Sequence, residues 1–168
     1  IPYISHLEVI IISEDAAKQG VIKLLDFLMR NPESRKEFLV VLSKGTSAKS
    51  ILETLSPLEA FPSQNVAQNI MSNKDDQSTI IIEDYSDFVS NILKEGINPV
   101  LNGVEIEGKT DEAKKQESLE SSTPSANIKI STLGIFKNDK LVGWANEKET
   151  IGINIINNES GSVLLNSK

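Results

Sequence analysis

The chain has 168 residues, 39% apolar and 24% charged, with a formal net charge of −7. That is one domain, or one domain plus a small appendage, long enough to hide roughly 70% of its unfolded surface. The acidic balance argues against a nucleic-acid partner, which needs clustered Lys and Arg, and the absence of Cys excludes disulfides, thiolate metal sites and thiol nucleophiles within these residues.

The chain opens Ile-Pro-Tyr-Ile-Ser, without Met and almost at once in strand-like sequence. This reads as a fragment whose upstream part has been removed. No signal peptide is visible, and no stretch reaches the ~18 apolar residues of a membrane span. Leu7, Val9, Ile10, Ile11 and Ile12 form an apolar, β-branched run, which predicts a strand buried on both faces. Glu14 to Arg30 changes period. Ala17, Val21, Leu24, Leu25 and Leu28 fall on one stripe of a single predicted helix. Ser13 caps it, Glu14 and Asp15 suit its positive end, and Asn31-Pro32 stops it. A second strand is expected from Glu37 to Ser43. The pair should be parallel, joined by a right-handed crossover.

Lys44-Gly45 closes that strand. Thr46 or Ser47 caps a helix to about Leu55, with Ile51, Leu52 and Leu55 on its apolar side. Ser56-Pro57-Leu58-Glu59 has a capping-box pattern with Pro at the first helical position. Ser63 starts a further helix carrying Val66, Ala67, Ile70 and Met71. Thr79 to Ile82 is ambiguous, but Tyr85, Phe88, Val89 and Ile92 have helical spacing from about Glu83 to Lys94. Gly96 and Pro99 end that helix. Pro99 to Glu107 reads as a strand. Gly108 to Ala126 is polar, with Leu119 its only large apolar residue, and reads as a mobile linker or insertion. Asn127 to Phe136, the turn Asn138-Asp139 and Lys140 to Trp144 form a predicted hairpin. Asn146 caps a last helix, with Ile151, Ile155 and Ile156 as its apolar stripe, read as core packing with a partner-facing surface as the alternative. Val163 to Leu165 is read as a short final strand. No internal repeat is present.

The residues offer few constellations for chemistry. Lys44-Gly45-Thr46-Ser47-Ala48-Lys49-Ser50 comes after a strand and ends in Lys-Ser, as a phosphate-binding loop does. Such a loop needs glycine directly before its Lys and five residues earlier, but Ala48 and Ser43 stand there. An ordinary strand-to-helix turn using Gly45 is the simpler reading. His6 is the only histidine, so a two-His metal motif is excluded. Glu14-Asp15, Asp75-Asp76 and Glu83-Asp84 are adjacent carboxylates, which do not face one another on a helix or strand. No cofactor and no catalytic or metal-ligating residue is assigned. Trp144, the only tryptophan, is a candidate partner contact. The more ordinary reading is a large side chain covering the hairpin edge.

These residues resemble a known family. His6 to Ile12 with Ala17 and Gly20, then Leu25-Asp26-Phe27-Leu28 and Arg30-Asn31-Pro32-Glu33, is similar to the Ger(x)C spore germination lipoproteins. The similarity runs on through Leu39 to Gly45, Ala48 to Leu52, Pro57-Leu58-Glu59, Pro62-Ser63, Asp87-Phe88 and Asn98-Pro99-Val100-Leu101. Leu133 to Lys137, Asn138 to Trp144 and Glu149-Thr150 continue it. The resemblance implies the C subunit of a nutrient germinant receptor. That subunit is a lipoprotein at the outer face of the spore inner membrane, working with integral-membrane A and B subunits. It further implies that this chain is an N-terminal-region fragment, without the family's lipid-modified cysteine and C-terminal domain, and that no catalytic motif is to be transferred.

The expectation is an α+β chain: a mixed sheet with an opening β-α-β unit, helices packed on it, and a C-terminal β-hairpin plus helix. Residues 1–107 form an N-terminal α/β domain, 108–126 the linker or insertion, and 127–168 the hairpin and helix. The hairpin either completes the first sheet or founds a small second domain. By function, the resemblance favours a non-enzymatic receptor subunit acting in assembly or signalling. A small-molecule, germinant-binding module is the alternative, and a phosphate-binding enzyme using Lys49 and Ser50 is the least favoured.

Overall fold

A computed structural model describes residues 7–30, 38–55, 81, 83–108 and 126–156. Strands β1 (Val9–Ser13), β2 (Leu39–Ser43), β3 (Val100–Gly108), β4 (Ala126–Lys137) and β5 (Lys140–Trp144) form one mixed sheet in that order. β1 and β2 run parallel, from Val9 opposite Leu39 to Ser13 opposite Ser43. β2 and β3 are also parallel, through Leu42–Gly103 and Ser43–Val104. β3 and β4 are antiparallel, from Val100 opposite Ile135 to Gly108 opposite Ala126, and β4 and β5 make the antiparallel hairpin. Of the two places open to the hairpin, strand pairing gives it the first sheet. The architecture is the expected α+β one.

β2 is buried at every position, as a strand covered on both faces should be. β1 lies at the sheet edge. Its Val9 and Ile12 are buried while Ile10 and Ile11 are half-buried, so burial on both faces is only partly realised there.

The core lies on both faces because side chains alternate along each strand. Val40 and Leu42 join Ile12, Leu101, Phe136 and Leu141 under helices α1 (Glu14–Gln19), α2 (Ile22–Arg30) and α4 (Tyr85–Leu93). Phe88 of α4 meets Phe136 edge-on at 5.2 Å and 72°, and Phe38 packs on Tyr85 at 4.7 Å. Leu39 and Val41 pack instead with Val9, Val104 and Ile51 of α3 (Ala48–Leu55). A smaller group joins Ile81, Val100, Leu133 and Ala145, with Ile153 of helix α5 (Glu147–Ile156) against it. Buried Asn102 fixes Ile81 there: its side-chain oxygen accepts the Ile81 N–H at 3.3 Å and its amide donates to the Ile81 carbonyl.

The single helix expected over Glu14–Arg30 is two helices. Ser13 caps the first as expected, its hydroxyl accepting the Ala16 N–H at 3.3 Å. Gly20 then takes φ +120° and ends α1. Val21 donates its N–H to the Asp139 carbonyl, and its own carbonyl accepts the first bonds of α2, from Leu24 and Leu25. The stripe keeps its phase across the break but loses one member. Ala17, Val21, Leu25 and Leu28 stay buried, but Leu24 turns out at 52% exposure, beside Phe27 at 60%.

The other helix starts obey local chemistry. Ser47 caps α3, accepting the Ser50 N–H at 3.0 Å, and Ile51 is buried, whereas Leu52 points outward. Asp84 caps α4, accepting the Asp87 N–H at 2.9 Å. Gly96 adopts φ +84° after it. Asn146 and Glu149 bond each other's backbone N–H groups at 3.0 and 2.8 Å, a reciprocal capping box at the start of α5.

The stripe expected on that last helix is corrected. Thr150 and Asn154 face inward, while Ile155 and Ile156 are exposed. The cap explains the phase. With Asn146 as N-cap, Ala145 and Thr150 occupy the two positions that a staple turns toward each other, and Ala145 is buried, its N–H on the Leu133 carbonyl at 2.8 Å. The features read at His6, Ser56–Met71, Asp75-Asp76, 109–125 and Val163–Leu165 lie outside the described residues.

Candidate functional site

A polar corner of the described molecule sits where β1, β2 and β5 end, at the carboxyl ends of the parallel strands. β1 runs directly into α1, which places Glu14 at this corner. β2 continues into Lys44 and Gly45, the latter at φ +67°. β4 contributes Thr132 from a register shift opposite Gly103, and β5 contributes Trp144 at its last residue.

Trp144 is half-buried and packs against the core on the α1–α2 face. Two glycines make room for its ring. A Cβ on Gly103 would lie 2.6 Å from the Trp144 Cζ3 atom, and one on Gly134 3.3 Å from it. The Lys44 ammonium stands 5.2 Å from the ring centroid and donates to the Thr132 hydroxyl at 3.0 Å. Glu14 pairs with Lys18 one turn along α1, at 2.7 Å. Lys18 is the main reason the Glu14 carboxyl titrates below its ordinary value. Burial is the next largest effect and opposes it, while the Trp144 indole and the Gly45 backbone N–H add smaller lowering effects. The Lys18 ammonium is correspondingly held above its ordinary value by Glu14.

This arrangement keeps Glu14 ionised at neutral pH, so it accepts hydrogen bonds and does not supply a proton. Lys18, Lys44, Thr132 and Trp144 are engaged with one another or with Glu14. The corner ties α1, β2, β4 and β5 together electrostatically. Sequence reasoning singled out Trp144 alone. In the sequence Lys44 has the character of a turn residue and Glu14 of a helix-start charge, and no local pattern marks Thr132. The signal that unites them is their common position at strand ends, which requires the strand order.

The loop from Lys44 to Ser50 is a strand-to-helix turn. Ser47 occupies its helix start, and Lys49 is exposed and paired with Glu53 at 3.5 Å. Glu83 accepts from the Asn91 amide at 3.0 Å, and Asp84 serves as a cap. Among the described residues no cluster of His, Cys, Asp and Glu could hold a metal ion, and no helix is long and apolar enough to cross a membrane.

Comparison with known proteins gives the class. The family model for the spore germination protein N-terminal domain matches residues 1–106. The chain belongs to that family, the N-terminal region of the Ger(x)C spore germination proteins. It is 31% identical over 154 residues to YfkR of Bacillus subtilis (strain 168), named as a spore germination protein, covering 91% of this chain and 36% of that one. It is 24% identical over 152 residues to the spore germination protein KC of the same strain, covering 89% of this chain and 37% of that one. The chain thus spans little more than a third of these relatives. Among solved structures it is similar to the crystal structure of the GerBC protein, with a TM-score of 0.46 and 16% identity over 89% of this chain and 36% of that one.

Proposed function

We propose that the chain is part of a non-enzymatic subunit of a bacterial spore germinant receptor, acting in receptor assembly or signalling during nutrient-triggered germination. Its partners in this reading are the integral-membrane A and B subunits. Its place is the outer face of the spore inner membrane, reached through a lipid anchor on a cysteine that is not among these residues. The observation that carries the reading is the family match over residues 1–106, to which the two spore germination relatives add support. Trp144 enters as the contact residue, a half-buried ring with one face beside Lys44.

The test is co-purification. Tagged protein expressed with the A and B subunits in detergent should bring both down. The single tryptophan should change its fluorescence on mixing with them. Recovery without either subunit, under conditions where A and B purify together, overturns the assembly role. Recovery of both with unchanged tryptophan fluorescence removes Trp144 from the contact.

A further inference from the structure

No further inference is drawn: the strongest candidate, the exposed apolar patch of Leu24 and Phe27 on the outer face of α2, carries nothing because nothing in the structure shows what covers it.

Discussion

Asp139, in the turn of the β4–β5 hairpin, closes over Gly20, the residue where α1 gives way to α2. Its carbonyl accepts the Val21 N–H at 2.9 Å, and its carboxylate Oδ2 lies 2.7 Å from where a Gly20 Cβ would stand. The first helical segment and the last hairpin therefore hold each other in register. Gly20 also sits at φ +120°, which L side chains rarely adopt. Gly20→Ala should cost about 1–3 kcal/mol in urea unfolding, through backbone strain and the displaced Asp139 carboxylate. Gly152 lies within α5 with nothing within 4 Å of its Cβ position. Gly152→Ala should instead stabilise by about 0.5–1 kcal/mol.

Gly103 has a different duty, since the Trp144 ring fills the space of its absent side chain. Gly103→Ala should push the ring outward and cost about 1–3 kcal/mol from overpacking. Because Trp144 is the only tryptophan, its emission should shift to longer wavelength in the folded variant. An unchanged spectrum would show that the ring does not depend on this glycine.

The capping box starting α5 should be separable from packing. Asn146 is exposed, so Asn146→Ala removes a cap without opening a cavity. The expected loss is about 1 kcal/mol. Asn146→Asp should retain most of that stability, because its carboxylate still accepts the Glu149 N–H. Urea midpoints of the two variants distinguish a lost cap from a general disturbance.

Stability should fall at both pH extremes for identifiable reasons. The Glu14 carboxyl is held below its ordinary value of 4.5, chiefly by Lys18. Its contribution is present above that value and is lost as pH falls through the lower folded-state value. Glu14→Gln should flatten the acid limb of stability against pH below about 4.5. Lys18 and Tyr85 are both held above their ordinary values of 10.5 and 10.0, Lys18 by Glu14 and Tyr85 by burial. Their contributions are present below those values and are lost as pH rises beyond them. Tyr85 also donates its hydroxyl to the Leu25 carbonyl at 3.2 Å. Tyr85→Phe should remove part of the alkaline limb and cost about 1 kcal/mol at neutral pH.

We propose that residues 108–126 are an insertion the fold tolerates. Gly108 and Ala126, its two ends, are paired across β3 and β4. Replacing 109–125 by Asn-Gly should leave the fold intact. The shorter closure should raise stability by up to about 2 kcal/mol, since loop entropy changes slowly with length. Loss of cooperative unfolding in that variant would give the stretch a structural role.

Much of the element order was legible from local pattern. Ser13, Ser47 and Asn146 are short polar side chains just ahead of periodic segments, and each caps a helix through its own backbone neighbours. The hairpin turn at Asn138-Asp139 was equally local, with Asn138 at φ +56°. The break at Gly20 was not legible. An isolated glycine inside a helical pattern is ordinarily tolerated, and the partner that stabilises the break, Asp139, is far along the chain. Apolar content alone points to Ile155 and Ile156 as the inward face of α5, whereas the cap fixes which side of the helix meets the sheet.

The polar corner shows the same division. The strand ends, the caps, the unbroken apolar run of β2 and the family to which residues 1–106 belong are all written in the chain itself. Each of these depends on residues near one another in the chain, or on a pattern of residue types. That the hairpin extends the first sheet, that Gly20 divides the helix, and that Trp144 lies in the space left by Gly103 beside Lys44 and Thr132 emerge only in the folded chain. Those facts rest on strand order and on contacts between distant segments. Their stability comes from burial and hydrogen bonds that exist only once the sheet has assembled.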